Sequence, residues 1–104
     1  MLDIFKMLFG GGEQTDLAEV MNSKPFLVDV RSPMEFNQGH PKGSINIPLD
    51  RLDANLSKFK GKDNIVVFCR SGARSGQAKS ILESHGITNV VNGGPWENVA
   101  KYTN

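Results

Sequence analysis

Cysteine is almost absent from this chain: Cys69 is the only one in 104 residues. That excludes an internal disulfide and the usual all-protein structural zinc sites, which need two to four thiolates. His40 and His85 are the only histidines, so neither a metal nor an organic cofactor is implied. An excess of either charge is missing too. Twelve Lys and Arg against eleven Asp and Glu leave a net charge of +1, with no basic face to follow a nucleic acid or an acidic membrane surface. There is also no apolar run long enough to span a bilayer. Residues 1–9 are apolar but interrupted by Asp3 and Lys6, and they lack a small-residue cleavage site. No signal peptide is expected, and a cytoplasmic protein is the default expectation. Internal repeats are lacking, and the only low-complexity tract is Gly10-Gly11-Gly12.

What is present fits one domain, large enough to bury roughly two-thirds of its unfolded surface without staples. Ile4, Phe5, Leu8 and Phe9 fall on one face of a short helix, and the triple glycine after them is a flexible hinge. Residues 1–12 are therefore expected to form a tail or docking helix, and residues 13–104 the folded domain. Thr15 caps a helix reaching about Met21. Phe26-Leu27-Val28-Asp29-Val30 reads as a buried strand. Ser32-Pro33-Met34-Glu35 starts a helix, with Ser at the cap, Pro at the first position and Glu completing a capping box. Gly39 keeps that helix short. Ser44 to Ile47 predicts a second strand ended by Pro48. Leu52, Leu56 and Phe59 follow a loose helical period closed by Gly61. Ile65 to Phe68 is the central strand, Arg74 to His85 the longest helix, and Thr88 to Val91 a further strand. Gly93-Gly94-Pro95 leads into a last short helix with Trp96 and Val99. Strands alternating with helices predict a parallel sheet covered on both faces, with ligands beyond the carboxyl ends of the strands. Asp29-Val30-Arg31 and Cys69-Arg70 both lie at such ends.

Cys69 stands where the apolar run turns into the loop Arg70-Ser71-Gly72-Ala73-Arg74-Ser75. A strand that passes through a glycine loop into a helix aims backbone amides and a helix N-terminus at the thiol, and two arginines add positive charge. This is a pattern for stabilising a thiolate and holding an anion against it. Gly72 lets the backbone turn tightly enough for several N–H groups to converge. Arg70 suits an oxyanion because its planar fork gives paired hydrogen bonds. For Arg74 two readings stand side by side, a wall of the cradle or a brace for the loop. Asp29 and Arg31 read as residues that hold neighbouring loops together, and His40 as a structural hydrogen-bonder rather than a base.

Together, Asp29-Val30-Arg31-Ser32, Glu35-Phe36, Gly39-His40, Gly43 to Pro48 and Cys69 to Ser75 resemble a single-domain rhodanese. The resemblance runs from about Thr15 to the C-terminus. It implies an α/β fold with a mainly parallel five-stranded sheet flanked by helices. It implies thiosulfate sulfurtransferase chemistry, with Cys69 as the nucleophile that becomes a persulfide and Arg70 through Arg74 as its cradle. Its partners would be a small anionic sulfur donor such as thiosulfate and a thiol or protein acceptor. Two other functions compete with this one. A persulfide carrier or binding module would act with protein partners. A cysteine-dependent phosphatase would use a similar loop, but only four residues separate Cys69 from Arg74, one fewer than such phosphatases use, which suits a single sulfur atom better than a phosphate.

Overall fold

The computed structural model describes residues 17–104; the readings of residues 1–12 as a hinged tail and of Thr15 as a helix cap fall outside them. The elements run in the order α1 (Leu17–Asn22), β1 (Phe26–Asp29), α2 (Pro33–Asn37), β2 (Ile45–Asn46), two 3₁₀ segments (Leu49–Arg51 and Asp53–Phe59), β3 (Ile65–Cys69), α3 (Ala73–Ser84), β4 (Val90–Pro95) and α4 (Trp96–Ala100). The four strands are parallel, in the spatial order β2-β1-β3-β4.

Every residue of β3 is buried, as expected for a strand covered on both faces. Side chains alternate along it. Ile65, Val67 and Cys69 join a cluster with Val28, Val30, Phe59, Ala78 and Leu82, under α3 and the 3₁₀ segments. Val66 and Phe68 point the other way and pack with Leu27 and Val99, flanked by residues of α1 and by Trp96. Cys69 therefore leaves the sheet on the α3 side, and this parity places its sulfur at the start of that helix.

The resemblance implied five strands, and the described residues form four. The apolar runs read directly from the residues also number four. Between the four strands the described residues form helices, 3₁₀ turns and irregular connections, with no further strand. The period Leu52, Leu56, Phe59 gives 3₁₀ turns with a kink at Asn55 rather than a regular helix. The last strand, expected over Thr88 to Val91, instead runs from Val90 to Pro95. It continues because β4 holds an extra residue against β3: Val67 pairs with Asn92 and Cys69 with Pro95. The bulge sits at Gly93-Gly94. Gly94 has a φ of +76°, and a Cβ on Gly93 would lie 2.8 Å from Val99 and 2.9 Å from Val66. Bulges of this kind redirect neighbouring side chains, and here the residue beside the bulge, Asn92, reaches the loop above Cys69.

Candidate active site

The loop that follows β3 closes around the Cys69 sulfur. Gly72, the residue before α3, takes a φ of +102° that favours glycine, and no side chain caps the helix start. The sulfur fills that role. Gly72 N–H donates to Cys69 Sγ at 3.0 Å and Ser75 N–H at 3.4 Å, so the sulfur occupies the place an N-cap oxygen usually takes. Ser75 Oγ lies 3.4 Å from the same atom. Burial pushes the Cys69 thiol up, but the Ser75 hydroxyl and the N–H groups of Ser75, Ser71 and Gly72 outweigh it, and the thiol sits below its ordinary value. Cys69 is fully buried, while Arg70, Ser71 and Ala73 are exposed on the loop above it.

The two arginines differ. Arg70 is exposed and has no hydrogen-bond or ion-pair partner among the described residues. Arg74 is engaged: its guanidinium donates to both oxygens of Glu35, at 2.8 and 3.0 Å. Glu35 is the third residue of the capping box of α2, accepting from Ser32 N–H at 3.0 Å while Ser32 Oγ accepts from Glu35 N–H at 3.3 Å. The Arg74 hydrogen bond, aided by Ser32, lowers the Glu35 carboxyl from 4.5 to about 2. One carboxylate thus ties α2 to the first turn of α3.

Asp29 and Arg31 form a buried pair beside the loop. Arg31 Nε donates to both Asp29 oxygens at 2.9 and 3.0 Å, and its Nη2 donates to the Gly39 carbonyl at 2.6 Å. The guanidinium also lies 4.8 Å from the Trp96 ring centre. His40 Nδ1 donates to the Phe36 carbonyl at 2.7 Å, and its ring stacks on Phe36. The Cys69 sulfur is contacted by Gly72 and Ser75, and His40 is turned to Phe36 instead. Next to these residues a cleft of about 250 Å³ is lined by Arg31, Glu35, Gln38, Arg70, Trp96 and Glu97. Among the described residues there is no cluster of His, Cys, Asp and Glu able to hold a metal ion, and no helix is long and apolar enough to cross a membrane.

Sequence reasoning missed two parts of this site. It found Glu35 as a capping residue but not as the partner of Arg74, because a contact across 39 positions leaves no local trace. It did not single out Asn92, whose side chain touches Ser75, Gly72 and Gly94. A polar residue after Val90-Val91 and before two glycines was the available signal.

A parallel α/β sheet thus presents a buried thiol at a strand end, faced by loop amides that favour its anionic form. The profile of the rhodanese-like domain matches residues 13–94, and the chain belongs to that family of sulfurtransferases. It is 39% identical over 75 residues to thiosulfate sulfurtransferase PspE of Escherichia coli (strain K12), a match that covers 70% of this chain and 72% of that protein. A solved structure of a rhodanese with anions from E. coli superposes with a TM-score of 0.66 at 38% identity, over 72% of this chain and 91% of that one. The human single-domain sulfurtransferase TSTD1 superposes with a TM-score of 0.69 at 27% identity, covering 84% and 91%. The chain spans only 55% and 56% of two further curated relatives that it matches.

Proposed function

We propose that this protein moves a sulfane sulfur from thiosulfate to cyanide or a thiol through a persulfide on Cys69. The observation that carries the proposal is the Cys69 sulfur held at the N-terminus of α3 by the Gly72 and Ser75 amides. In the first half-reaction the thiolate attacks the outer sulfur of thiosulfate. A new S–S bond forms, the old one breaks, and sulfite leaves with its electron pair. In the second, the terminal sulfur of the persulfide bonds to cyanide or to an acceptor thiolate, and the Cys69 thiolate is restored. The Gly72 and Ser75 N–H groups stabilise the Cys69 thiolate, which is the attacking group in the first half and the leaving group in the second.

The residues around the thiol divide into contacts and supports. Arg70, exposed and unpaired among the described residues, binds the sulfonate end of the donor. The Gly72 and Ser75 amides hold the reacting sulfur, while Ser71 and Ala73 form the rim through which it enters. Arg74, held by Glu35, braces the loop, as Asp29, Arg31 and His40 brace what lies behind it. Because Cys69 is fully buried, the loop shifts outward to admit the donor. Its exposed tip also leaves room for a protein-borne persulfide, the carrier reading, in which thiosulfate is only a substitute donor. A chemistry that needs Cys69 as a free thiol suits the reducing cytoplasm. Steady-state formation of thiocyanate from thiosulfate and cyanide is the test. Parallel double-reciprocal lines are expected for a covalent sulfur carrier, and intersecting lines would contradict the persulfide step.

A further inference from the structure

Ser75 is fully buried, and its hydroxyl has one proton for two neighbours. Ser75 Oγ lies 2.7 Å from Asn92 Oδ1 and 3.4 Å from Cys69 Sγ. The orientation of the Asn92 amide is set by two backbone groups. Gly94 N–H donates to Oδ1 at 2.9 Å, and Nδ2 donates to the Gly72 carbonyl at 3.2 Å. Turning the amide over would set its NH₂ against the Gly94 N–H and its oxygen against the Gly72 carbonyl. Oδ1 is an acceptor only, so Ser75 donates its proton to Asn92 and turns a lone pair toward the sulfur. That arrangement fits a neutral Cys69, whose S–H then has an acceptor.

A thiolate reverses the demand, because it needs donors. The amides of Gly72 and Ser75 already point at it. A further donor becomes available when the Ser75 hydroxyl rotates its proton from Asn92 to the sulfur, while Asn92 Oδ1 keeps the Gly94 N–H. Only the Cys69 proton is lost, to solvent; Ser75 keeps its own. We infer that Asn92 is a positioning residue that competes with the Cys69 sulfur for the Ser75 hydroxyl and so sets how readily the thiol ionises. This rests on the reading of Cys69 as a reacting thiolate, and it gives the bulge in β4 a purpose, since the bulge flanks Asn92. The charged groups on the elements around the sulfur are Arg70, Arg74 with its partner Glu35, and the Asp29–Arg31 pair. A substitution at Asn92 leaves all of them in place.

The test is a pH titration of thiolate ultraviolet absorbance, which has one source below the tyrosine range because Cys69 is the only cysteine. Four proteins are compared: wild type, Asn92→Leu, Ser75→Ala and the double variant. Leucine has the heavy-atom count and branching of asparagine but cannot accept the proton. On the acid side of the transition, the thiolate fraction of Asn92→Leu should exceed that of wild type by about two- to tenfold, the worth of one ordinary hydrogen bond. Ser75→Ala should shift the transition to higher pH, and in that background Asn92→Leu should have no effect. An unchanged or raised transition in Asn92→Leu would overturn the inference. So would an equal downward shift with and without Ser75, because Asn92 would then act only through the Gly72 and Gly94 backbone. Asn92→Ala carries the same expectations if leucine prevents folding. Sulfur transfer is not read in this experiment, so its failure is distinct from a failure of the proposed activity.

Discussion

Cys69 is surrounded by apolar side chains on the sheet side and by amides on the loop side, and the two have opposite effects on its proton. Burial favours the neutral thiol; the donors of Ser75, Ser71 and Gly72 favour the anion and prevail. A serine at position 69 keeps the packing but has a hydroxyl too weakly acidic to ionise there. Cys69→Ser should therefore lose all sulfur uptake while its unfolding free energy stays within about 1 kcal/mol of wild type, as denaturant melts would show. Arg70 gives the contrasting case, being exposed and without a hydrogen-bond or ion-pair partner among the described residues. Arg70→Ala should raise the thiosulfate KM by about tenfold or more, the worth of a charge-assisted hydrogen bond, with no change in Tm. A lowered Tm with an unchanged KM would make Arg70 structural.

Among the elements, the start of α3 depends on α2 through the Arg74–Glu35 pair. With its carboxyl lowered to about 2 from 4.5, Glu35 contributes stability that is complete above the ordinary carboxyl range and fades as the pH falls from there toward about 2. Glu35→Gln should cost about 1 kcal/mol at neutral pH. The gap to wild type should close over that acidic window when urea melts are run at a series of pH values. The bulge in β4 is the other point of dependence. Gly93→Ala places a methyl against Val99 and Val66 at under 3 Å, and overpacking of this kind costs about 1–3 kcal/mol. That variant should lower Tm and also disturb sulfur transfer, because Asn92 is the residue next to it.

Across the whole molecule, the legible parts were those with local causes. The capping box of Ser32 and Glu35, the all-apolar run of β3 and the glycine at position 72 each announce a structure within a few residues. Cys69 at a strand end was legible for the same reason. The fifth strand came from resemblance alone, without a run of residues to support it. The length of β4 was hidden because its bulge is a property of pairing with β3, and glycines at 93 and 94 read as a break. The partnerships of Arg74 with Glu35 and of Ser75 with Asn92 join distant segments, so only the fold reveals them. The proposed division at residue 12 has its own test: removing residues 1–12 should leave turnover of thiosulfate and cyanide within about twofold of the full chain. A large loss would assign those residues to the working domain.

The most direct test of a Cys69 persulfide is the intact mass of the protein after incubation with thiosulfate, before and after cyanide, with Cys69→Ala alongside. Wild type should gain one sulfur atom and lose it to cyanide, and the variant should gain none. No gain in wild type, or an equal gain in the variant, would contradict transfer of thiosulfate sulfur through Cys69.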